Sequence, residues 1–189
     1  TEENGKAILP DVAETILKKM EEKGIAKADV IGVGVGVPGP VVKEREVQVA
    51  VNLHWGYTML ADDLEKLLDQ IPVKVGNDAN VAALGEMWKG GGEGTKNLIM
   101  ATLGTGVGGG IIVDGKIVAG AHGAGGEIGH ACVEPEETES CNCGNKGCLE
   151  QMASATGIVR IGKKIMAENT AETKLHLDNF SAKTIFDAY

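Results

Sequence analysis

Between Gly126 and Glu150 the chain reads GEIGH and then CNCGNKGCLE, which sets one histidine and three cysteines at metal-ligand spacing between two carboxylates. Cys141 and Cys143 are separated by one residue and Cys148 follows closely, while Gly144 and Gly147 let the backbone fold the three sulfurs toward one point. Such a loop suits tetrahedral zinc, with thiolates at about 2.3 Å and an imidazole nitrogen at about 2.0 Å. His130 is the nearest fourth ligand, and only Cys132 competes with it. Four ligands leave no open position, so the metal itself reads as a structural staple. A staple has no use for a carboxylate at each end, however. Glu127 and Glu150 are therefore candidate functional groups that folding of the loop fixes together. The expected state is reduced, cytosolic and metal-bound, since a vicinal Cys141–Cys143 disulfide would be strained.

Two other stretches could do chemistry. In GNDAN, Asn77 and Asp78 fall at the end of a buried strand and the start of a helix. Asp is a preferred N-cap, but a capping Asp78 would need no help from Asn77. The carboxyl ends of strands in open α/β sheets are also where ligands bind, and a carboxylate there can take a proton from a substrate hydroxyl. The second stretch is LGTGVGGG, where Gly104, Gly106 and Gly109 satisfy GxGxxG, as Gly34, Gly36 and Gly39 do earlier. Neither is a dinucleotide fingerprint, because neither follows a strand and opens a helix. The later one reads as a hairpin turn whose backbone N–H groups and Thr105 hydroxyl can hold phosphate oxygens. Short polar groups suit a polyhydroxylated ligand and the glycine turn suits phosphate. Side by side they imply a sugar kinase.

Composition narrows the classes further. The 189 residues suffice for one or two domains with a real core. A formal net charge of −9, with dispersed lysines and arginines, argues against a nucleic-acid or anionic-membrane surface. No apolar run approaches the roughly 20 residues of a membrane span, so the expected location is the cytoplasm. Glycine is abundant, at 28 residues, and lies beside β-branched residues, which predicts strands joined by glycine-rich turns.

The elements that must position these groups follow from periodicity. Helices are predicted over 9–23, from Thr58 through Gln70, and from Ala79. Strands are predicted over 30–37, with a flat glycine side that something must approach closely, and over the short run IPVKVGNDA. That alternation is an α/β signature. KGGGEGTKN, residues 89–97, reads as a hinge between lobes, giving residues 1–93 and 94–189 as parts of two lobes with a zinc loop over 130–148. From Asn97 to Val118 an antiparallel meander is predicted, with a turn at Asp114-Gly115. MASATGIVRIGKKIMAE reads as one helix, and SAKTIFDAY begins another that runs to Tyr189.

VGVPGPV, GNDANVAALGE, LGTGVGGGII, GGEIGH and CNCGNKGCLE, in this order and spacing, resemble the ROK family (repressor, open reading frame, kinase), and most closely its Gram-positive bacterial glucokinases. The resemblance runs over essentially the whole chain. It implies the actin-like (ribonuclease H-like) fold of two α/β lobes with a zinc-binding loop, and ATP and sugar bound between the lobes. It implies that Asp78 is the general base toward the sugar 6-hydroxyl. Asn77, Glu127, His130 and Glu150 match sugar-binding positions, Gly39 approaches the sugar through its backbone, and Thr105 and Gly106 match a phosphate-binding turn. Zinc ligation carries over to His130, Cys141, Cys143 and Cys148, leaving Cys132 unassigned; magnesium would accompany ATP. The resemblance also implies assembly as a homodimer or homotetramer.

The same resemblance implies a longer protein. Family kinases begin with a DxGGT-type phosphate turn and end with an adenine-binding segment, and neither is found between Thr1 and Tyr189. The expectation is an internal piece of the fold, incomplete at both ends and unable by itself to complete an ATP site. Glucose is the expected substrate, with N-acetylmannosamine kinase or fructokinase as enzymatic alternatives. An alternative of another class is a ROK transcriptional repressor with a sugar-sensing core.

Overall fold

The computed structural model describes residues 5–169 and 172–188. It divides into two compact units. One comprises the residues up to Leu98 together with Gly110–Gly125, and the other comprises Ile99–Gly109 and the residues from Gly126 onward.

In the first unit, Val12, Ile16 and Met20 recur on one face of α1 (Ile8–Lys23) and pack against the core. Gly24 ends this helix in the left-handed conformation at φ 64°, its N–H bonded to the Glu21 and Met20 carbonyls. The central strands are β1 (Val33–Val37) and β4 (Val73–Asn77), which pair in parallel from Val33↔Val73 to Val37↔Asn77. On β4 the alternation is plain: Val73, Val75 and Asn77 are buried while Lys74 is exposed. Between these strands lie the short antiparallel pair β2 (Val41–Val42) and β3 (Glu46–Val47) and the helix α2 (Leu60–Leu67), which buries Leu60, Ala61 and Leu64.

On the glycine side of the predicted strand a close neighbour is met at Gly32, where a Cβ would lie 3.1 Å from the Pro72 carbonyl oxygen, but, among the described residues, not along β1 itself. A Cβ built at Gly34 finds nothing within 4 Å, and at Gly36 only the Asp78 Cα at 3.7 Å. The reason is which face the core occupies. Val33, Val35 and Val37 point into the cluster with the residues of α1 and α2, leaving the glycines on the opposite, open face.

Arg45, in the β2–β3 turn, joins the hairpin to α2 through Asp62 (2.5 Å) and Glu65 (2.7 Å). Glu65 Oε1 in turn accepts the Val73 N–H at 2.9 Å, so one carboxylate ties α2 to both the hairpin and β4. This places the C-terminal end of β4 and the following α3 (Asp78–Lys89) on a fixed frame.

The predicted meander is β5 (Leu98–Leu103), β6 (Val107–Val113) and β7 (Lys116–Ile117), in sheet order β5-β6-β7. β6 and β7 pair antiparallel at Ile112↔Ile117, around Asp114 (φ 50°) and Gly115 (φ 75°). Positive φ at both turn residues is the type I′ pattern that an Asp-Gly pair favours.

The second unit carries the Gly104–Gly106 turn, the histidine–cysteine loop, α4 (Leu149–Ala153), α5 (Ala155–Glu168) and α6 (Ala182–Asp187). The single helix expected across MASATGIVRIGKKIMAE is broken. Ser154 sits in extended conformation (φ −74°, ψ 161°), fully buried, and its Oγ accepts the Gly157 N–H at 3.0 Å, so it caps α5. A serine that satisfies an orphan helix N–H favours a new start over continuation. α5 packs on α6, with Gly162 facing Ile185 of α6 and the ring of Phe180 just before it. α6 is capped by Ser181 Oγ, which accepts the Thr184 N–H at 3.1 Å; its predicted end at Tyr189 lies outside the described residues. No helix among the described residues is long and apolar enough to cross a membrane.

Candidate functional site

The predicted site residues fall into two groups, each within one unit. In the first, β4 delivers Asn77 and Asp78 to the start of α3. Asn77, not Asp78, is the cap: its Oδ1 accepts the Asn80 N–H at 3.1 Å, and its Nδ2 donates to the Gly39 carbonyl at 3.2 Å. Asn77 is buried, with 9% of its surface exposed. Asp78 is thereby released from capping and is exposed; among the described residues its Oδ1 accepts only its neighbour's N–H, from Ala79 at 2.8 Å. Gly39 has φ 103°, and a Cβ there would run into the Val49 carbonyl oxygen. Glycine is therefore required where the chain approaches Asn77.

In the second group, the loop brings His130, Cys141, Cys143 and Cys148 together, with one ligand atom of each lying within 4.8 Å of all the others. Cys143 and Cys148 sulfurs are 3.7 Å apart, and Cys141 Sγ is 3.8 Å from His130 Nδ1. A tetrahedron with arms of about 2.3 Å has edges of roughly 3.8 Å; these two separations match it, and the group is consistent with a zinc site. Cys132 is exposed and lies outside the cluster, facing Cys148 only as a backbone bridge partner. His130, and not Cys132, is therefore the fourth member of the cluster.

The loop is closed by backbone bonds. Val133 N–H donates to Gly147 O at 2.7 Å, Leu149 N–H to Ala131 O at 2.9 Å, and Cys141 N–H to Asn145 O at 2.7 Å. Gly147 has φ 69°, and a side chain there would strike the Glu134 carbonyl, so only glycine allows this crossing. The thiols are electrostatically unlike. Burial, aided by hydrogen bonds with Cys143 and Cys141, pushes Cys148 up to about 12. Cys143 lies below its ordinary value: burial opposes this, but it is outweighed by hydrogen bonds from the Asn145 N–H and from the Cys141 and Cys148 thiols. A divalent cation among them would favour the thiolate form of all three and release protons on binding.

Of the two flanking acids, Glu150 reaches the cluster with its side chain, whereas Glu127 adjoins it along the backbone. Glu127 is half-buried immediately before the short turn Ile128–His130, and its backbone carbonyl accepts the His130 N–H at 3.1 Å. Glu150 is half-buried in the first turn of α4, where Oε2 accepts the Val107 N–H at 2.9 Å and Oε1 lies 4.0 Å from Cys141 Sγ. Thr105 and Gly106 form the turn that precedes Val107, closed by Gly104 N–H to Gly106 O at 3.0 Å.

Some supporting residues escape a sequence reading. Gln151 accepts the Cys148 N–H at 3.1 Å and donates to Glu139 O at 3.0 Å. Arg160 on α5 holds Glu137 at 2.7 Å and Glu139 at 3.2 Å. Hydrogen bonds from the Glu139 N–H, then Arg160, then the Thr138 N–H hold Glu137 down to about 2. The only signal for Gln151 is its place three residues after Cys148, where Gln favours a helix start. Nothing marks Arg160 for Glu137 in advance.

Residues 1–189 match the model of the ROK family. The chain is 45% identical over 193 residues to a glucokinase of Halalkalibacterium halodurans, which covers 99% of this chain and 58% of that enzyme. It is 36% identical over 175 residues to a xylose repressor of Caldicellulosiruptor bescii, covering 91% of this chain and 42% of that protein. The fold matches the crystal structure of a ROK family glucokinase from Streptomyces griseus in complex with glucose and AMPPNP. Its TM-score is 0.69 and its identity 37%, over 95% of this chain and 59% of that one. The chain thus spans little more than half the length of these glucokinases. Matched by the family model along its whole length, with an α/β actin-like fold and a histidine–cysteine cluster consistent with structural zinc, the chain belongs to the ROK family.

Proposed function

We propose that the full-length protein is an ATP-dependent hexose kinase that phosphorylates the 6-hydroxyl, with glucose as its substrate. The observation that carries this reading is the division of labour between Asn77 and Asp78. Asn77 caps α3, so the Asp78 carboxylate stands exposed at the carboxyl end of β4 and, among the described residues, accepts only the Ala79 N–H. In the reaction, the 6-hydroxyl oxygen attacks the γ-phosphorus, its proton passes to Asp78, and the bond to ADP breaks. Asn77, Glu127, His130 and Glu150 take sugar hydroxyls, and the Gly39 backbone lies against the sugar. Thr105 and Gly106 donate to phosphate oxygens. Magnesium bound with ATP would supply neutralisation of the phosphate charge.

Zinc held by His130, Cys141, Cys143 and Cys148 would supply a structural anchor for the loop. With His130 Nδ1 turned to the cysteines, the other ring nitrogen is left to donate to a hydroxyl, its tautomer fixed by the first. Holding Glu127, His130 and Glu150 on one rigid loop is what the metal contributes to sugar binding.

Similarity to a xylose repressor favours one second reading, a sugar-responsive ROK regulator. Assay of the full-length protein with ATP against glucose, mannose, fructose and N-acetylmannosamine, following ADP, separates the two. Sugar-dependent ADP release supports the kinase and its order ranks the hexoses. Absence of turnover with every sugar, together with sugar-sensitive DNA binding, would establish the regulator.

A further inference from the structure

The Gly104–Gly106 turn is held from behind by the start of α5. Ala155 N–H donates to the Gly104 carbonyl at 2.9 Å, and Thr156 Oγ1 donates to the Thr105 carbonyl at 2.8 Å. A trans peptide sets its C=O and N–H antiparallel. Anchoring these two carbonyls on α5 therefore turns the N–H groups of Thr105 and Gly106 to the opposite side. Neither N–H has an acceptor among the described residues. Two consecutive free N–H groups on a glycine turn form an anion nest.

The hydroxyl chain that orients them is consistent in its protons. Ser154 Oγ accepts the Gly157 N–H at 3.0 Å and lies 3.0 Å from Thr156 Oγ1. With the Thr156 proton committed to Thr105 O, the Ser154 hydroxyl donates to Thr156, and each oxygen has one donor role filled. On the far side of the turn, Glu150 Oε2 holds the Val107 N–H at 2.9 Å, and a side chain at Gly106 would run into that carboxylate. The turn is thus fixed at both ends by residues that follow the cysteine loop, on either side of the break at Ser154.

We propose that Thr156 is a positioning residue for nucleotide phosphate: its hydroxyl fixes the Thr105–Gly106 peptide so that the turn presents two N–H groups to the anion. This rests on the kinase reading above. Thr156 does not itself touch phosphate. Its effect reaches the nucleotide through the peptide plane, and leaves the sugar and metal groups alone.

The test is calorimetric titration of the full-length, zinc-loaded protein with a non-hydrolysable ATP analogue and, separately, with glucose. Thr156→Val is expected to weaken nucleotide binding about three- to tenfold, the range for one lost hydrogen bond, with glucose affinity and zinc content unchanged. Thr156→Ser, which keeps the hydroxyl, should bind nucleotide as the wild type does. Equal nucleotide affinity in wild type and Thr156→Val overturns the role of Thr156 and leaves the kinase reading standing. Parallel loss of nucleotide, glucose and zinc overturns it as well, because the hydroxyl would then serve only the fold. A wild-type protein that binds no nucleotide overturns the kinase reading, and the role of Thr156 with it. Should the valine variant misfold, Thr156→Ala against Thr156→Ser gives the same contrast with a smaller side chain.

Discussion

Glu150 and Val107 are joined by a single hydrogen bond, Val107 N–H to Glu150 Oε2 at 2.9 Å, and that bond connects the histidine–cysteine loop to the glycine turn. Glu150 lies two residues beyond Cys148, and Val107 is the residue after Gly106. One carboxylate oxygen is committed to the turn while the other faces the cluster, 4.0 Å from Cys141 Sγ. A metal that fixes Cys141 and Cys148 thus also fixes the start of β6.

Loss of one ligand should therefore reach the sugar. Cys143→Ser is expected to lose zinc, measured as metal per protein, and to weaken hexose affinity at least about tenfold, the scale on which support of metal-site geometry acts. Zinc lost with hexose affinity unchanged would show that Glu127, His130 and Glu150 hold their places without it.

Gly39 tests the other unit. With φ at 103° and the Val49 carbonyl in the way of any side chain, Gly39→Ala must distort the loop that meets Asn77. A destabilisation of about 1–3 kcal/mol follows from strain of this kind, checked by denaturant unfolding. Unchanged stability would mean that the loop relaxes freely and that its geometry is not fixed by the glycine.

The Glu137–Arg160 pair predicts a pH dependence with a definite sign. A carboxylate held down to about 2 from an ordinary 4.5 contributes stability that is present in full above 4.5 and is lost as pH falls toward 2. Glu137→Gln should be less stable than wild type at neutral pH, with the gap closing as pH falls through that window. The check is unfolding of both proteins across the acid range in metal-free buffer. A gap constant with pH would assign the effect to shape instead of charge.

How much of this was legible beforehand depended on sequence distance. The histidine–cysteine cluster was readable because three of its members sit within eight residues, with glycines where the loop must turn. Asp114-Gly115 was readable because its turn requires two positive φ values that this pair tolerates. The break at Ser154 was hidden, since apolar residues keep helical spacing on both sides and only the capping bond to Gly157 separates α4 from α5. The competition between His130 and Cys132 could not be settled by spacing, because only the folded loop groups His130, and not Cys132, with the other three cysteines. The glycines of β1 misled because alternation fixes which residues share a face but not which face is covered.

The most direct test of the account is the Asp78→Asn variant of the full-length protein, compared with wild type for ATP-dependent phosphorylation of glucose and for glucose binding in the same preparation. Removing the base should lower kcat by about 10²–10⁴-fold while glucose still binds measurably. Near-normal turnover in Asp78→Asn would contradict the assignment of Asp78 as the group that takes the proton.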